Sequence, residues 1–381
     1  MPSSSVFKHS KSLIPVKAIS LTHKQAFGRF AYAARMTHEH AAGPRVEPDD
    51  RDESRDQLRD ELRDELRAAV RGFLAARPGA PWSRAAAELG IAGLMIPEEH
   101  GGAGCGLPEA AVVCEELGAA LSPLPYLQTA VLAAEAVMTG GDEDARRRLL
   151  PRIAEGAATA TVILPGEADL TFEDGTLSGV APYTLEGEIV LAYAGGVLVE
   201  AEPTRRTPLV PLDQTRPLCA LAFDRAPARV AGDGGRAAWE RVRDAGLAAL
   251  AAEQVGGAAA CLAASVAHAK RRHQFGRPIG SFQAIQHKLA DVLLLVESAR
   301  SAAYAAARAT PEDLPVAAAI AGSYCAEAYA TAAGENIQVH GGIGITWEHD
   351  AHRHLKRATT AARLFGPPQA HRARLAPTAG L

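Results

Sequence analysis

Arg271-Arg272-His273-Gln274-Phe275-Gly276-Arg277-Pro278-Ile279-Gly280-Ser281-Phe282-Gln283 and Gln338-Val339-His340-Gly341-Gly342-Ile343-Gly344 bracket two long helical patterns. In the first segment an arginine ends one helix, glycines follow, and a new helix begins. That order combines a planar bidentate donor with free backbone N–H groups and a positive dipole end, a combination suited to pyrophosphate. The ordinary alternative is an arginine that caps carbonyls at a helix end. In the second segment two consecutive glycines end a helix and let backbone approach a ligand where a β-carbon would clash, while Gln338 offers both a donor and an acceptor. A plain glycine C-cap is the alternative there. One helix pair apart, the two segments together are far more specific than either alone.

Around them the chain is helical. Residues 238–270, 281–307 and 311–340 carry alanine-rich helical patterns. In the second, Ile285, Leu289, Val292, Leu293 and Val296 fall on one stripe. Thr310-Pro311 predicts an N-cap followed by proline at the first helical position of the third. Such helices pack as an up-down bundle, so residues 236–381 are expected to form a C-terminal four-helix bundle. Residues 157–235 change character: short β-type runs around Thr159–Leu164, Gly187–Ala194 and Gly196–Ala201 are bounded by Gly, Pro and Asp, predicting a small central β domain. Residues 47–156 read as an N-terminal helical domain. Its first part is a low-complexity helix with leucines at 58, 62 and 66 and with Asp56, Asp60 and Asp64 each three residues before an arginine, which predicts a solvated charged face. Residues 1–46 hold a single acid, Glu39, among Ser, Lys, Arg and His. They read as a disordered extension or a misplaced start codon in preference to a targeting segment. The expected class is therefore mainly α with a small central β domain.

Bulk composition narrows the function. A formal net charge of -4 over 381 residues gives no basic field for nucleic acid. Five cysteines, odd in number and without CxxC spacing, indicate neither a disulfide framework nor a zinc site and fit a reducing, cytoplasmic setting. No uninterrupted apolar run approaches the ~20 residues of a membrane span. His340, His349, His352 and His354 cluster within fifteen residues, but a glycine break and opposed helix faces argue against a metal site.

These motifs resemble the acyl-CoA dehydrogenase family. Leu89-Gly-Ile-Ala-Gly-Leu-Met-Ile-Pro-Glu-Glu-His-Gly-Gly102 is similar to its N-terminal helical domain, and Arg272-His-Gln-Phe-Gly-Arg-Pro-Ile-Gly-Ser-Phe-Gln-Ala-Ile-Gln-His and Gln338-Val-His-Gly-Gly-Ile-Gly to its flavin-binding C-terminal bundle. The resemblance implies FAD at a subunit interface of a homo- or hetero-tetramer, an acyl-CoA substrate, an electron-transfer acceptor, and α,β-dehydrogenation of the thioester. It also implies that Arg272 touches the FAD pyrophosphate with Phe275 beside it, that Phe282 and Gln283 lie near the adenosine end, and that Gln338, Gly341 and Gly342 contact the FAD of the neighbouring subunit.

The catalytic base departs from the family pattern. Many members carry a glutamate just before a glycine in the C-terminal segment, where Ala362-Arg-Leu-Phe-Gly366 has Phe365; others carry it on the helix before the arginine motif, where the count reaches Gly246. Glu240, Asp244, Glu253, Glu348 and Asp350 are the nearby carboxylates, with Asp244 two residues from the expected place, a rotation of ~200° around a helix. The stretch Val162-Ile-Leu-Pro-Gly-Glu-Ala-Asp169 also lacks the family's flavin-ring loop. Both departures resemble short actinobacterial subunits that act on sterol side chains, in which two different subunits share fewer flavins. Three readings stand: a dehydrogenase subunit, a non-catalytic partner subunit, and a flavin hydroxylase of the same fold.

Overall fold

The computed structural model describes residues 50–377; the extension expected at residues 1–46 lies outside them. α1 (Asp50–Ala76) is the first element of the described residues, followed by α2 (Trp82–Leu89), α3 (Leu107–Ala119), a π-helical turn (Leu127–Ala133) that runs into α4 (Ala134–Gly140), and α5 (Glu143–Ala154). Leu62, Leu66, Val70 and Phe73 bury the apolar stripe of α1. Its polar side is not simply solvated, as the charge pattern predicts. Arg63 keeps its pair with Asp60 at 2.9 Å, but its Nε donates to Glu109 at 2.8 Å, Arg67 donates to Glu115 at 2.7 Å, and Arg71 clasps Glu116. Glu115 and Glu116 are buried on α3, so these arginines are needed to neutralise them. The side chain of Asp56 is outside the description.

Seven strands form the central sheet: β1 (Ala160–Ile163), β2 (Asp169–Glu173), β3 (Thr176–Leu185), β4 (Ile189–Ala194), β5 (Val197–Ala201), β6 (Arg205–Pro208) and β7 (Leu218–Asp233). Their order is β1-β4-β5-β7-β3-β2, with β6 also on β7. The long β7 joins both halves of the sheet, and only β1 and β4 pair in parallel. The three expected β runs correspond to β1, β4 and β5. The pattern of sequence hides β2, β3, β6 and β7, whose many exposed positions, all four in β6, dilute their apolar content. Thr129 of the π turn pins β1 to the helices: its hydroxyl donates to Ala160 O at 3.1 Å and accepts from Ala160 N at 3.0 Å.

The C-terminal part is built on α6 (Arg236–Arg271), 36 residues long. A two-strand hairpin, β8 (His273–Gln274) and β9 (Arg277–Pro278), turns the chain into α7 (Gln283–Ala307), and α8 (Leu314–His340), α9 (Ala351–Ala361) and α10 (Pro368–Leu375) follow. α6, α7 and α8 lie along one another and α9 packs on α8, giving the four members of the bundle. α8 starts later than the Thr310-Pro311 signal predicts. Thr310 caps a preceding turn, its hydroxyl donating to the Asp313 carboxylate at 2.9 Å, and Pro315 takes the first-turn place instead. α6 is the one helix among the described residues long and apolar enough to cross a membrane, with 72% of its most apolar window buried inside the protein; it is the core helix around which the others pack. Glycines set that closeness. A β-carbon on Gly118 would stand 2.0 Å from Glu253 O and one on Gly256 1.8 Å from Glu115 O, so α3 and α6 cross backbone to backbone.

Candidate active site

Two regions concentrate functional side chains, and they lie at opposite ends of α6. At its C-terminal end stands the hairpin Gln274-Phe275-Gly276-Arg277. Phe275 at φ 53° and Gly276 at φ 75° make the two left-handed central positions that a tight hairpin turn requires, a costly conformation for a phenylalanine. It leaves the Phe275 ring 90% exposed, edge-on to Phe282 at 6.1 Å, while the Arg277 guanidinium lies over Phe282 at 4.0 Å. Arg272 and Gln283 are exposed beside them. Gln338, Gly341 and Gly342 reach the same end through histidines. The His268 ring, one turn before Arg272, stacks 4.3 Å from His340, which stacks 4.1 Å from His349. His340 is held by Asn336 O at 2.8 Å, and burial lowers the pKa of His268 and His340. The expected cofactor residues therefore gather on one surface, although the two segments are more than fifty residues apart. Among the described residues no group of His, Cys, Asp and Glu could hold a metal ion.

At the other end a cavity of about 700 Å³ opens between the β sheet and the bundle. Its apolar wall includes Leu164, Leu218, Trp239, Leu364 and Phe365. Phe365 adopts φ 60° and Gly366 φ 103°. Gly246 on α6 sits against it: a β-carbon there would be 3.2 Å from Phe365 Cζ and 2.4 Å from Leu132 Cδ2. Positions 365 and 246, the two at which the resemblance implies a base, thus converge, and neither bears a carboxylate.

Of the five nearby acids Glu348 is exposed, and the other four are ion-paired. Asp244, 1% exposed, accepts from Arg374 at 2.8 Å and from Arg243 Nε at 3.1 Å. Glu240 pairs with Arg236 at 3.1 Å, and Asp350 with Arg353 at 2.8 Å. Glu253 is buried between Arg216, whose Nη2 donates to its Oε1, and Arg357, whose Nε donates to the same oxygen at 3.0 Å. Burial alone would raise its pKa, but the two guanidiniums outweigh burial and hold it low.

Three residues of this cavity escape sequence reading. Asp213 and Arg216 lie on the β6–β7 connection, where no motif marks them. Glu167 is part of the quoted stretch 162–169 yet stands out there only as a departure. It lines the cavity, its carboxylate accepts from Leu164 N at 3.0 Å, and shielding of that carboxyl end raises its pKa although the residue as a whole is exposed.

Residues 233–379 match the acyl-CoA dehydrogenase C-terminal domain, and residues 48–157 match the N-terminal domain. The chain belongs to the acyl-CoA dehydrogenase family. Members of this family are oxidoreductases of CH–CH bonds, and flavoproteins are among its solved structures. The chain is 37% identical over 307 residues to acyl-CoA dehydrogenase IpdE2 of Mycobacterium tuberculosis, covering 79% of this chain and 88% of the relative. Among solved structures it is similar to the ChsE4–ChsE5 complex of M. tuberculosis, with a TM-score of 0.76 and 25% identity over 84% of this chain and 97% of that one. It is also similar to a variant of the Tcur3481–Tcur3483 steroid acyl-CoA dehydrogenase, with a TM-score of 0.69 and 25% identity over 96% and 97% of the two chains.

Proposed function

We propose that this chain is the subunit of an FAD-dependent, heteromeric acyl-CoA dehydrogenase that carries half of a flavin cradle and a thioester-binding cavity, while a partner subunit supplies the base. The observation that carries this reading is Phe365 lying against Gly246, which fills the space of the base with hydrocarbon. When bound, FAD would take the β hydrogen of the thioester as hydride.

The cradle residues fit such a cofactor. Arg272 offers a bidentate, solvent-facing donor set to a pyrophosphate, and Gln338 an amide. A β-carbon added to Gly341 or Gly342 would meet nothing within 4 Å, so ligand backbone contact from that side is open. Between Gly246 and Arg272 run 26 residues of mostly helix, ~39 Å at 1.5 Å per residue. That span separates the cradle from this chain's own cavity. It supports a cradle that serves the flavin of a neighbouring subunit, with Arg272 and Phe275 at the pyrophosphate, Phe282 and Gln283 near the adenosine, and Gln338, Gly341 and Gly342 alongside. The two-component complexes among its structural likenesses support assembly with a different chain, and the steroid dehydrogenase supports a sterol-derived acyl group as substrate class. Within the cavity, Trp239, Leu364 and Phe365 would exclude water from the acyl group.

One observation favours a second reading, in which the chain is competent alone. Glu167 lines the same cavity with a raised pKa, the property a general base needs. Purification of the chain alone, and after co-expression with a neighbouring homologue, separates the two. The proposed reading predicts a colourless or flavin-poor chain that becomes yellow in the complex, and dehydrogenation that survives Glu167→Gln. A yellow, active homo-oligomer inactivated by Glu167→Gln would establish the second.

A further inference from the structure

Asp213 and Arg216 sit on a four-residue turn between β6 and β7, and both line the 700 Å³ cavity while only 2% and 8% exposed. The turn fixes them. Asp213 Oδ1 accepts from Thr215 N at 2.9 Å and from Thr215 Oγ1 at 2.5 Å, and Arg216 N donates to Asp213 O at 3.3 Å. Arg357 closes the group from α9, donating to Thr215 Oγ1 at 2.8 Å and lying 3.6 Å from Asp213 Oδ2. With Glu253 the group holds two carboxylates and two guanidiniums, so its charge is balanced and no ionic ligand is required to neutralise it.

Hydrogen bonding is not balanced. Arg216 Nη1, a donor, and Asp213 Oδ2, an acceptor, have no hydrogen-bond partner in the protein. Buried polar groups are nearly always satisfied, and an unmatched donor and acceptor on one rigid turn beside an apolar cavity mark the orienting groups of a binding site. The oxygen of a hydroxyl, like that of the water molecule it would displace, accepts and donates from one atom.

We propose that Asp213 and Arg216 form the seat of a ligand hydroxyl, carried by the acyl part of the thioester or by the ribityl chain of the flavin. This rests on the dehydrogenase reading above. The hydroxyl oxygen accepts from Arg216 Nη1 and its O–H donates to Asp213 Oδ2. A site of this kind rejects the analogue that lacks the hydroxyl, because its own buried groups are then left unpaired.

The test uses the full chain with any partner that purifies with it, and two conservative variants whose folding is checked by thermal melts. Asp213→Asn keeps shape but turns the acceptor into a donor; Arg216→Lys keeps the charge facing Glu253 but removes the second arm of the fork. Titration calorimetry measures FAD, cyclohexylpropanoyl-CoA and its ring-hydroxylated derivatives. If the acyl group carries the hydroxyl, a hydroxylated thioester binds at least tenfold tighter than its parent, and both variants abolish that preference with FAD affinity unchanged. If the ribityl chain carries it, both variants weaken FAD at least tenfold and the thioesters bind alike. Affinities for FAD and for every thioester that match the unsubstituted protein in both folded variants overturn the hydroxyl seat and leave the dehydrogenase reading standing. Failure of the unsubstituted complex, co-expressed with the neighbouring homologue, to bind either FAD or any thioester overturns that reading, and the seat with it.

Discussion

The aromatic ring of Phe365 covers the backbone of Gly246, with Cζ 3.2 Å from where a β-carbon of Gly246 would stand. The two positions are 119 residues apart in the chain, and they are the two at which the resemblance to the family implies a base. The contact makes them inequivalent as sites for restoring one. A side chain on Gly246 would meet Leu132 Cδ2 at 2.4 Å inside a packed core, whereas Phe365 already projects a side chain into the cavity wall.

Phe365→Glu is therefore expected to fold and to bring a carboxylate to the cavity, with an unpaired acid there costing about 1–3 kcal/mol. Gly246→Glu is expected to lose more, because overpacking adds to the burial of a charge. Paired thermal melts check the order: the Gly246 variant should melt lower than the Phe365 variant, and the reverse order would mean that Leu132 yields easily.

Arg272→Ala should lower flavin retention at least tenfold, since a pyrophosphate would lose its bidentate partner. Absorbance at the flavin band against protein absorbance, on the assembled complex, is the measurement. Retention equal to the unsubstituted complex would remove Arg272 from the cradle.

Much of this was open to sequence reading. The helices α6, α7 and α8 announce themselves because alanine-rich periodicity continues without interruption, and the glycine-bearing breaks between them are tied to known chemistry. Contacts between distant segments were not legible. Arg216 reaches Glu253 across 37 residues and Arg357 reaches it across 104, with no local pattern to signal either. The arginines of α1 look like partners of their own helix's acids, and only the crossing with α3 reveals that Glu115 and Glu116 need them. Thr310 carries the signature of a helix cap, yet it caps a turn that precedes the helix. The Phe365–Gly246 convergence is visible as two missing acids in the sequence and as a filled space only in the fold.

Glu253→Gln should destabilise the protein by about 3–5 kcal/mol, the scale for removing one member of a buried ion pair. It would leave Arg216 and Arg357 facing each other with Asp213 as their remaining carboxylate. Urea unfolding at neutral pH checks this; a loss below about 1 kcal/mol would show that water or rearrangement already shields the two guanidiniums.

His354 gives a pH dependence with a definite sign. It is buried beside Tyr329, whose hydroxyl is 2.9 Å from Nδ1, and burial lowers its pKa from 6.5 to about 4. Because the folded pKa is the lower one, the unfolded chain takes up the proton first. The folded protein therefore loses stability as pH falls from about 6.5 to about 4, by on the order of 3 kcal/mol, and this contribution levels off below. His354→Gln should flatten that part of the profile relative to the unsubstituted protein, read as urea midpoints at pH 7 and pH 5. Parallel profiles would mean that His354 is solvated in both states.

The central claim is that the base of the reaction is not in this chain. The most direct measurement is anaerobic mixing of an acyl-CoA with the chain alone in the presence of added FAD and, separately, with its heteromeric complex, following loss of the oxidised flavin absorbance. The account predicts bleaching by the complex and none by the chain alone; rapid bleaching of the chain alone would contradict it.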